Sequence, residues 1–279
     1  MNFKDLDRRS LVGGLLVLIV GIFAVVSAWN NFLIAYPELK VGYKAVNNLP
    51  AVKIVTWLLP VMSDFIMVAG VALVVAAYGF FTKRNWAMKL SLISIVVGLA
   101  GSWMAIVWPL MIAFPLRYLP LFLVFIATWS ILLLYVKQEN LKITALSTFG
   151  GIAMILNIMS GTASLNKLMG TLYMNGTPMP LFVMTQQLNW IVAVGWGIFT
   201  MGVIYRKSWV LLLGIIGGIF PLMVATPLAY MDSVNTGETS MFWISPIVSG
   251  ALLIILLVTG DKLWMSKTKE IEAKASVSA

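Results

Sequence analysis

A single acidic residue, Asp64, stands inside a long apolar stretch of the sequence, about ten residues after the start of that stretch at Ile54. An ionisable side chain within a bilayer costs at least ~2.5 kcal/mol, and such residues usually face a cavity or the interior of a helix bundle. A carboxyl group in such a place takes up a proton or binds a cation. We therefore predict that Asp64 faces the bundle interior and acts as a proton or cation acceptor.

A second apolar stretch contains three amide side chains, Gln186, Gln187 and Asn189. Amides donate and accept hydrogen bonds, so beside an acid they can orient a small polar ligand or an ion. We predict a ligand-binding or proton-binding site made by these amides and Asp64, between the second and sixth membrane helices. A structural interpretation stays open, in which a protonated Asp64 and the amides hold two helices together.

The chain contains no cysteine and no histidine. It therefore offers no thiolate or imidazole to haem, zinc or an iron–sulfur cluster, and no histidine-based triad. The apolar stretches hold no second carboxylate near Asp64, which disfavours an intramembrane hydrolase. We expect no metal site, no cofactor held by this chain itself, and no enzymatic activity of the chain on its own.

Long apolar runs must position these polar groups. The 279 residues are 61% hydrophobic and 10% charged, and the mean hydropathy is +0.97. A helix needs about 20 apolar residues to cross the ~30 Å of hydrocarbon. We predict an all-α, polytopic membrane bundle, since the alternating ten-residue segments of a β-barrel are not found in the sequence. Its eight spans are residues 11–29, 54–81, 88–114, 118–136, 143–164, 180–205, 208–230 and 241–260.

The distribution of basic residues predicts the orientation of the chain. Fourteen of the 19 Lys and Arg residues lie on the side of the two termini. Both termini are therefore expected in the cytoplasm and the chain in the plasma membrane, with residues 30–53, 165–179 and 231–240 outside. The segment 30–53 is expected to lie on the membrane surface as a broken amphipathic helix around Pro37. The net charge of +9 is explained by this topology, so no nucleic-acid partner is expected.

The amino-terminal segment has two interpretations. Arg8 and Arg9, followed by an apolar stretch and Val26-Ser27-Ala28, are similar to a signal peptide with its cleavage site. The apolar stretch is longer than a usual signal core, so we expect it to remain as the first helix.

Two pairs of similar segments indicate an internal repeat. Lys83-Arg84-Asn85-Trp86 matches Arg206-Lys207-Ser208-Trp209, and Trp108–Tyr118 matches Phe220–Tyr230 at seven of eleven positions. An even number of spans separates the copies, which predicts a parallel repeat of four plus four helices. The first repeat would be residues 1–137, and the second would be residues 138–279 with a cytoplasmic tail. Chance similarity between apolar spans is the alternative.

The first copy resembles the DoxX-type four-helix membrane module over residues 8–95. The resemblance rests on a basic start, a Gly-rich first helix, and an acid followed by Gly70, Leu73, Gly79 and Thr82-Lys83-Arg84. Here Asp64 replaces the module's Glu, Gln187 takes its place in the second copy, and the terminal Gly-rich signature is reduced to Gly260-Asp261. The family includes the membrane partner of a thiosulfate:quinone oxidoreductase. The resemblance therefore implies a quinone-linked role, with the electron carrier on another subunit.

Three functions follow from these observations. The first is a small-solute or ion-coupled permease with its site between helices 2 and 6. The alternative is a quinone-linked or structural membrane subunit of a respiratory or redox complex, and the third is an anchoring or assembly protein without a small-molecule site. The expected partners are the lipid bilayer and either other membrane subunits or further copies of this chain.

Overall fold

The computed structural model describes residues 7–110, 112–169 and 176–258, and the regular elements in these ranges are helices. Every predicted span is a helix long and apolar enough to cross a membrane. The predicted all-α polytopic bundle is confirmed, while the predicted cytoplasmic tail lies outside the described residues. The helices are α1 Arg8–Ala45, α2 Leu49–Phe81, α3 Ala87–Leu110, α4 Leu119–Ile131 with a π-helical end Leu132–Val136, α5 Leu141–Met169, α6 Met179–Ile204, α7 Val210–Thr236 and α8 Met241–Val258, which opens as the 3₁₀ turn Met241–Trp243.

Helix α1 is far longer than the span predicted for it. Its 38 residues continue through Pro37 to Ala45, a length of about 57 Å. The prediction that residues 30–53 form a broken helix on the membrane surface is therefore wrong. The end of α1 is held by tertiary contacts, because Leu39 and Tyr43 are buried and the Tyr43 hydroxyl donates to the Trp108 carbonyl oxygen at 2.7 Å.

Small residues allow the helices to approach closely. A Cβ atom added to Gly98 would lie 2.5 Å from the Phe125 ring, and one added to Gly214 would lie 2.5 Å from Leu256. Helices α1 and α2 also approach closely at glycines, since a Cβ on Gly21 would lie 2.7 Å from the backbone oxygen of Gly70. Glycine is therefore required at these contacts by the distance between the helices.

The described residues divide into two compact units. The first contains the described residues up to Thr144, and the second contains Ala145–Leu168 and residues 176–258. The division shows that each unit is compact and does not show that the two units are similar. The repeat of four plus four helices therefore stays a prediction.

The first pair of repeat segments adopts the same turn in both units. Lys83 and Arg206 both adopt the left-handed backbone conformation, with φ of 56° and 52°. The residue after each donates its backbone N–H back into the preceding helix, from Arg84 to the Gly79 oxygen and from Lys207 to the Gly202 oxygen. The two helix–turn–helix corners thus share one hydrogen-bonding pattern.

The second pair of repeat segments differs in backbone structure. In the first unit α3 ends at Leu110, and Ala113 follows in a left-handed conformation with φ of 54°. In the second unit the matching segment lies wholly inside α7, which continues through Pro221 and Pro227 to Thr236. A similar sequence therefore ends a helix in one unit and continues a helix in the other.

Candidate functional site

Asp64 lies on the exposed face of α2, beside the exposed side chains of Val61, Phe65 and Val68. The preceding residue, Ser63, is buried and its hydroxyl lies 2.8 Å from the Tyr118 hydroxyl. Asp64 is therefore not packed inside the first unit, and its expected place in the interior of the whole bundle stays a prediction. A one-residue step along a helix turns the side chain by about 100°, which is enough to place Ser63 inside and Asp64 outside.

The depth of Asp64 follows from the short helix α4. The segment Leu119–Val136 has 18 residues, which span about 27 Å and just cover the hydrocarbon. Tyr118 immediately precedes this segment, so we expect it at one membrane border. Since Ser63 contacts Tyr118, we expect Asp64 near that border as well, where headgroups or water would spare it the cost of mid-bilayer burial.

Helix α1 runs beside α4 over the same length. Gly13 packs against Val136 at the end of α4, on the side opposite to Tyr118. Asn31 donates to the backbone oxygen of Arg117 at 2.9 Å, next to the start of α4. Gly13 and Asn31 are about 27 Å apart along the helix, the same length as α4. The part of α1 beyond Asn31 then extends about 20 Å past the hydrocarbon, together with the first turns of α2.

Polar contacts fix this border of the first unit. The Arg117 guanidinium donates twice to Glu38, at 2.6 and 2.9 Å, and this hydrogen-bonded pair raises the pKa of Arg117. Burial raises the pKa of Tyr118 to about 12, although its hydrogen bond with Ser63 lowers it. Both side chains therefore keep their protons at neutral pH.

The three predicted amides of α6 have different environments. Gln187 is exposed, Gln186 is half-buried, and Asn189 is buried at 2% exposure. Asp64 belongs to the first unit and these amides to the second. The assignment of the four residues to one binding site stays a prediction.

Asn189 belongs to a buried hydrogen-bonded network that joins α5, α6 and α8. Its amide contacts the hydroxyls of Ser160 at 3.3 Å and Ser245 at 3.0 Å. Asn157 contacts Ser245 at 2.9 Å and Ser249 at 3.2 Å. The Ser245 hydroxyl lies within donating distance of both amide oxygens, Asn157 Oδ1 and Asn189 Oδ1, and its single proton serves one of them at a time. Asn157 and Ser160 thus both make hydrogen bonds between helices.

The polar side chains of α5 form a continuous stripe. Asn157, Ser160, Ser164 and Lys167 are spaced at three or four residues, so they share one face of the helix over about 15 Å. The first three are buried, and Lys167 reaches the α7–α8 end of the second unit, where it meets Asp232. The stripe therefore leads from the Asn157 network to a charged pair.

Asp232 is a buried acid that the sequence analysis missed, because it placed residues 231–240 in a loop. The structure includes Asp232 in α7 at 5% exposure. Ser240 donates to its Oδ2 atom at 2.7 Å, and the Lys167 Nζ atom lies 3.9 Å from Oδ1. The left-handed Gly237, with φ of 71°, caps this helix. A glycine commonly follows the last residue of a helix. If Gly237 had been taken as this signal, the sequence would have placed Asp232 inside the helix.

The surroundings of Asp232 are apolar on one side. A buried cluster near it contains Ala163, Phe182, Leu228, Ala229 and Phe242. Asp232 Oδ1 is buried and has no hydrogen-bond partner among the described residues. A buried carboxylate oxygen without a hydrogen bond, close to one ammonium group, can accept a proton or a polar ligand.

The described structure and its apolar helices define a multi-pass integral membrane protein. Comparisons of the chain with protein-family models, with curated proteins and with solved structures give no match. The resemblance to the DoxX-type module and the quinone it implies therefore stay predictions. Among the described residues, no group of three or more acidic, His or Cys side chains could hold a metal ion.

Proposed function

We propose that the chain is a small-solute or ion-coupled permease whose polar site lies in the second unit. The observation that supports this is the buried Asp232 carboxylate beside Lys167, at the end of the polar stripe of α5. Ionisable residues within membrane helices are expensive and usually belong to substrate or ion pathways. Asn189, one of the predicted site residues, stays in this proposal through its contact with Ser160 on that stripe.

The position of the site differs from the sequence prediction for a physical reason. Asp64 is exposed near a membrane border, so its charge is solvated at little cost. Asp232 is buried against apolar side chains, so its charge needs Lys167, Ser240 or a proton. The residue with the stronger energetic reason to exchange a ligand is therefore Asp232.

The proposal can be tested by uptake into proteoliposomes. Purified protein would be reconstituted, and uptake of a panel of labelled anionic, cationic and neutral small solutes would be measured with and without a pH gradient. We expect uptake of at least one solute above empty liposomes, at least tenfold lower in Asp232→Asn. Asp64→Asn is the matched control, since it makes the same change at an exposed acid and should retain uptake. Equal uptake by wild type and Asp232→Asn would refute the proposal.

The basic residues support an orientation with both termini in the cytoplasm of a plasma-membrane protein. In that orientation the Asp232 end of the second unit faces outward. A solute from outside would then reach the Asp232 end of the second unit.

A further inference from the structure

The buried network of the second unit places two amide oxygens against one hydroxyl group. Asn157 Oδ1 lies 2.9 Å from the Ser245 Oγ atom, and Asn189 Oδ1 lies 3.0 Å from it. The hydroxyl has a single proton, so one of the two amide oxygens is always without a hydrogen-bond donor from the described residues. All three side chains are exposed by 2% or less, and a buried acceptor without a donor is costly.

The backbone of α5 fixes the orientation of the Asn157 amide. Its Nδ2 atom donates to the Ala153 carbonyl oxygen at 2.8 Å, and a carbonyl oxygen only accepts hydrogen bonds. Turning the amide over would set two oxygens against each other, so Asn157 Oδ1 stays directed at Ser245. The Asn189 oxygen reaches the same hydroxyl from α6, while the Asn189 Nδ2 atom donates to the Ser160 hydroxyl at 3.3 Å.

We infer that the side-chain oxygens of Asn157, Asn189 and Ser245 bind a sodium ion between α5, α6 and α8. A cation is ligated by all three oxygens at once, whereas the hydroxyl proton serves one amide at a time. Oxygen ligands about 2.4 Å from a cation lie roughly 3–3.5 Å from one another, close to the 2.9 and 3.0 Å found here. The hydroxyls of Ser249 and Ser160 lie 3.2 and 3.3 Å from the amide nitrogens, within reach to complete the ligand shell. Binding of the ion does not depend on the permease function, which it would provide with a coupling ion.

The chemistry of the ligands favours sodium over other cations. The ligands are neutral oxygens, and the segments of α6 and α8, residues 179–204 and 241–258, contain no charged residue. On α5 the nearest charged residue is Lys167, ten residues and about 15 Å along the helix from Asn157. Calcium and magnesium sites use carboxylates to offset the double charge, so a monovalent ion fits this site better. Potassium is larger than sodium and would need the three oxygens further apart.

Binding of radiolabelled sodium to the purified full-length protein in detergent tests this inference. We expect saturable binding that unlabelled sodium displaces at least tenfold more effectively than potassium does. Replacing choline by sodium at constant ionic strength should raise the midpoint temperature of thermal unfolding, because an ion that binds the folded state stabilises it. Since none of the ligands titrates, the affinity should be equal in mildly acidic and mildly alkaline buffer.

Two variants locate the ion. Ser245→Ala removes the hydroxyl shared by both amides and should weaken sodium binding at least tenfold. Ser164→Ala is the matched control, because it removes another buried hydroxyl of the second unit, one that bonds within its own helix. It should bind sodium as the wild type does. Sodium binding that is unchanged in Ser245→Ala would place the ion elsewhere and overturn the assignment.

The competing arrangement has the Asn189 amide turned over, so that its NH₂ group donates to Ser245. This arrangement completes the hydrogen bonds without an ion and predicts no saturable sodium binding. Wild-type protein that binds no sodium, or binds potassium equally well, would therefore overturn the inference, and this result holds even if a variant fails to fold. Solute uptake that requires Asp232 would keep the permease function in either case, whereas sodium binding by a protein whose uptake is independent of Asp232 would keep this inference and refute that function.

Discussion

The part of α1 and α2 beyond the membrane border offers a direct test of the depth assigned to Asp64. The chain has no cysteine, so single cysteines can be introduced one at a time and labelled with a membrane-impermeant maleimide. Val41 and Trp57 are exposed at 68% and 78%. Val41 lies ten residues beyond Asn31, about 15 Å outside the hydrocarbon, and Trp57 lies about 9 Å beyond Ser63 on α2.

Val68 provides the matched control on the same exposed stripe of α2. It is exposed at 63%, but it lies five residues on the other side of Ser63, about 7 Å inside the hydrocarbon. We expect rapid labelling of Val41→Cys and Trp57→Cys, intermediate labelling of Asp64→Cys, and labelling of Val68→Cys at least tenfold slower. In detergent-denatured protein all four should react alike.

The opposite pattern would refute the depth assignment. If Val41→Cys and Trp57→Cys were as protected as Val68→Cys in intact membranes, α1 and α2 would not extend past the hydrocarbon. Asp64 would then lie deeper than the contact of Ser63 with Tyr118 and the length of α4 indicate. Labelling from the side of the termini would reverse the predicted orientation.

Three further predictions concern the contacts between helices within each unit. Asn157→Ala removes two interhelical hydrogen bonds, each worth about 0.6 kcal/mol in membrane proteins, so unfolding in mixed detergent micelles should show a loss of about 1–2 kcal/mol. Ser164→Ala, which removes a bond within one helix, should cost clearly less, and equal losses would contradict the network. Gly21→Leu should strongly lower the midpoint temperature of thermal unfolding, because a Cβ atom at position 21 would lie 2.7 Å from the Gly70 backbone oxygen. Ile22→Leu is the control and should not lower it, since Ile22 lies on an exposed face. A stable Gly21→Leu protein would contradict the close packing of α1 and α2. Glu38→Gln should leave the stability nearly unchanged, because the pair with Arg117 is solvent-accessible and surface ion pairs contribute little. A large loss of stability that is independent of salt would contradict this weak role.

The helices could be predicted from the sequence because each crosses the membrane with a continuous apolar run. The length of α1 could not, because Pro37 and the nearby Lys40 and Lys44 resemble the end of a span. What extends the helix is the contact of Tyr43 with Trp108, which joins residues far apart in the sequence. Hydropathy locates the apolar run but not the helix that continues beyond it.

The candidate site was predicted only in part for the same reason. Asn189 was predicted as a site residue, but its partners Ser160 and Ser245 lie on two other helices. Asp64 was predicted as a site residue because it is the acid within an apolar run. A step of one residue along a helix turns the side chain by about 100°, however, and this decides whether the side chain packs inside the unit or is exposed. Asp232 was placed in a loop because the helix was expected to end at residue 230, and α7 continues to Thr236.

The most direct test of the permease function is the current that a solute jump produces on a solid-supported membrane. Proteoliposomes adsorbed on the electrode would receive each solute of the uptake panel, with wild type, Asp232→Asn and Asp64→Asn compared at equal protein density. The permease proposal predicts a transient current for wild type and for Asp64→Asn with at least one solute whose uptake moves net charge, reduced at least tenfold in Asp232→Asn. An Asp232→Asn protein with wild-type signals would contradict the central role of this buried acid.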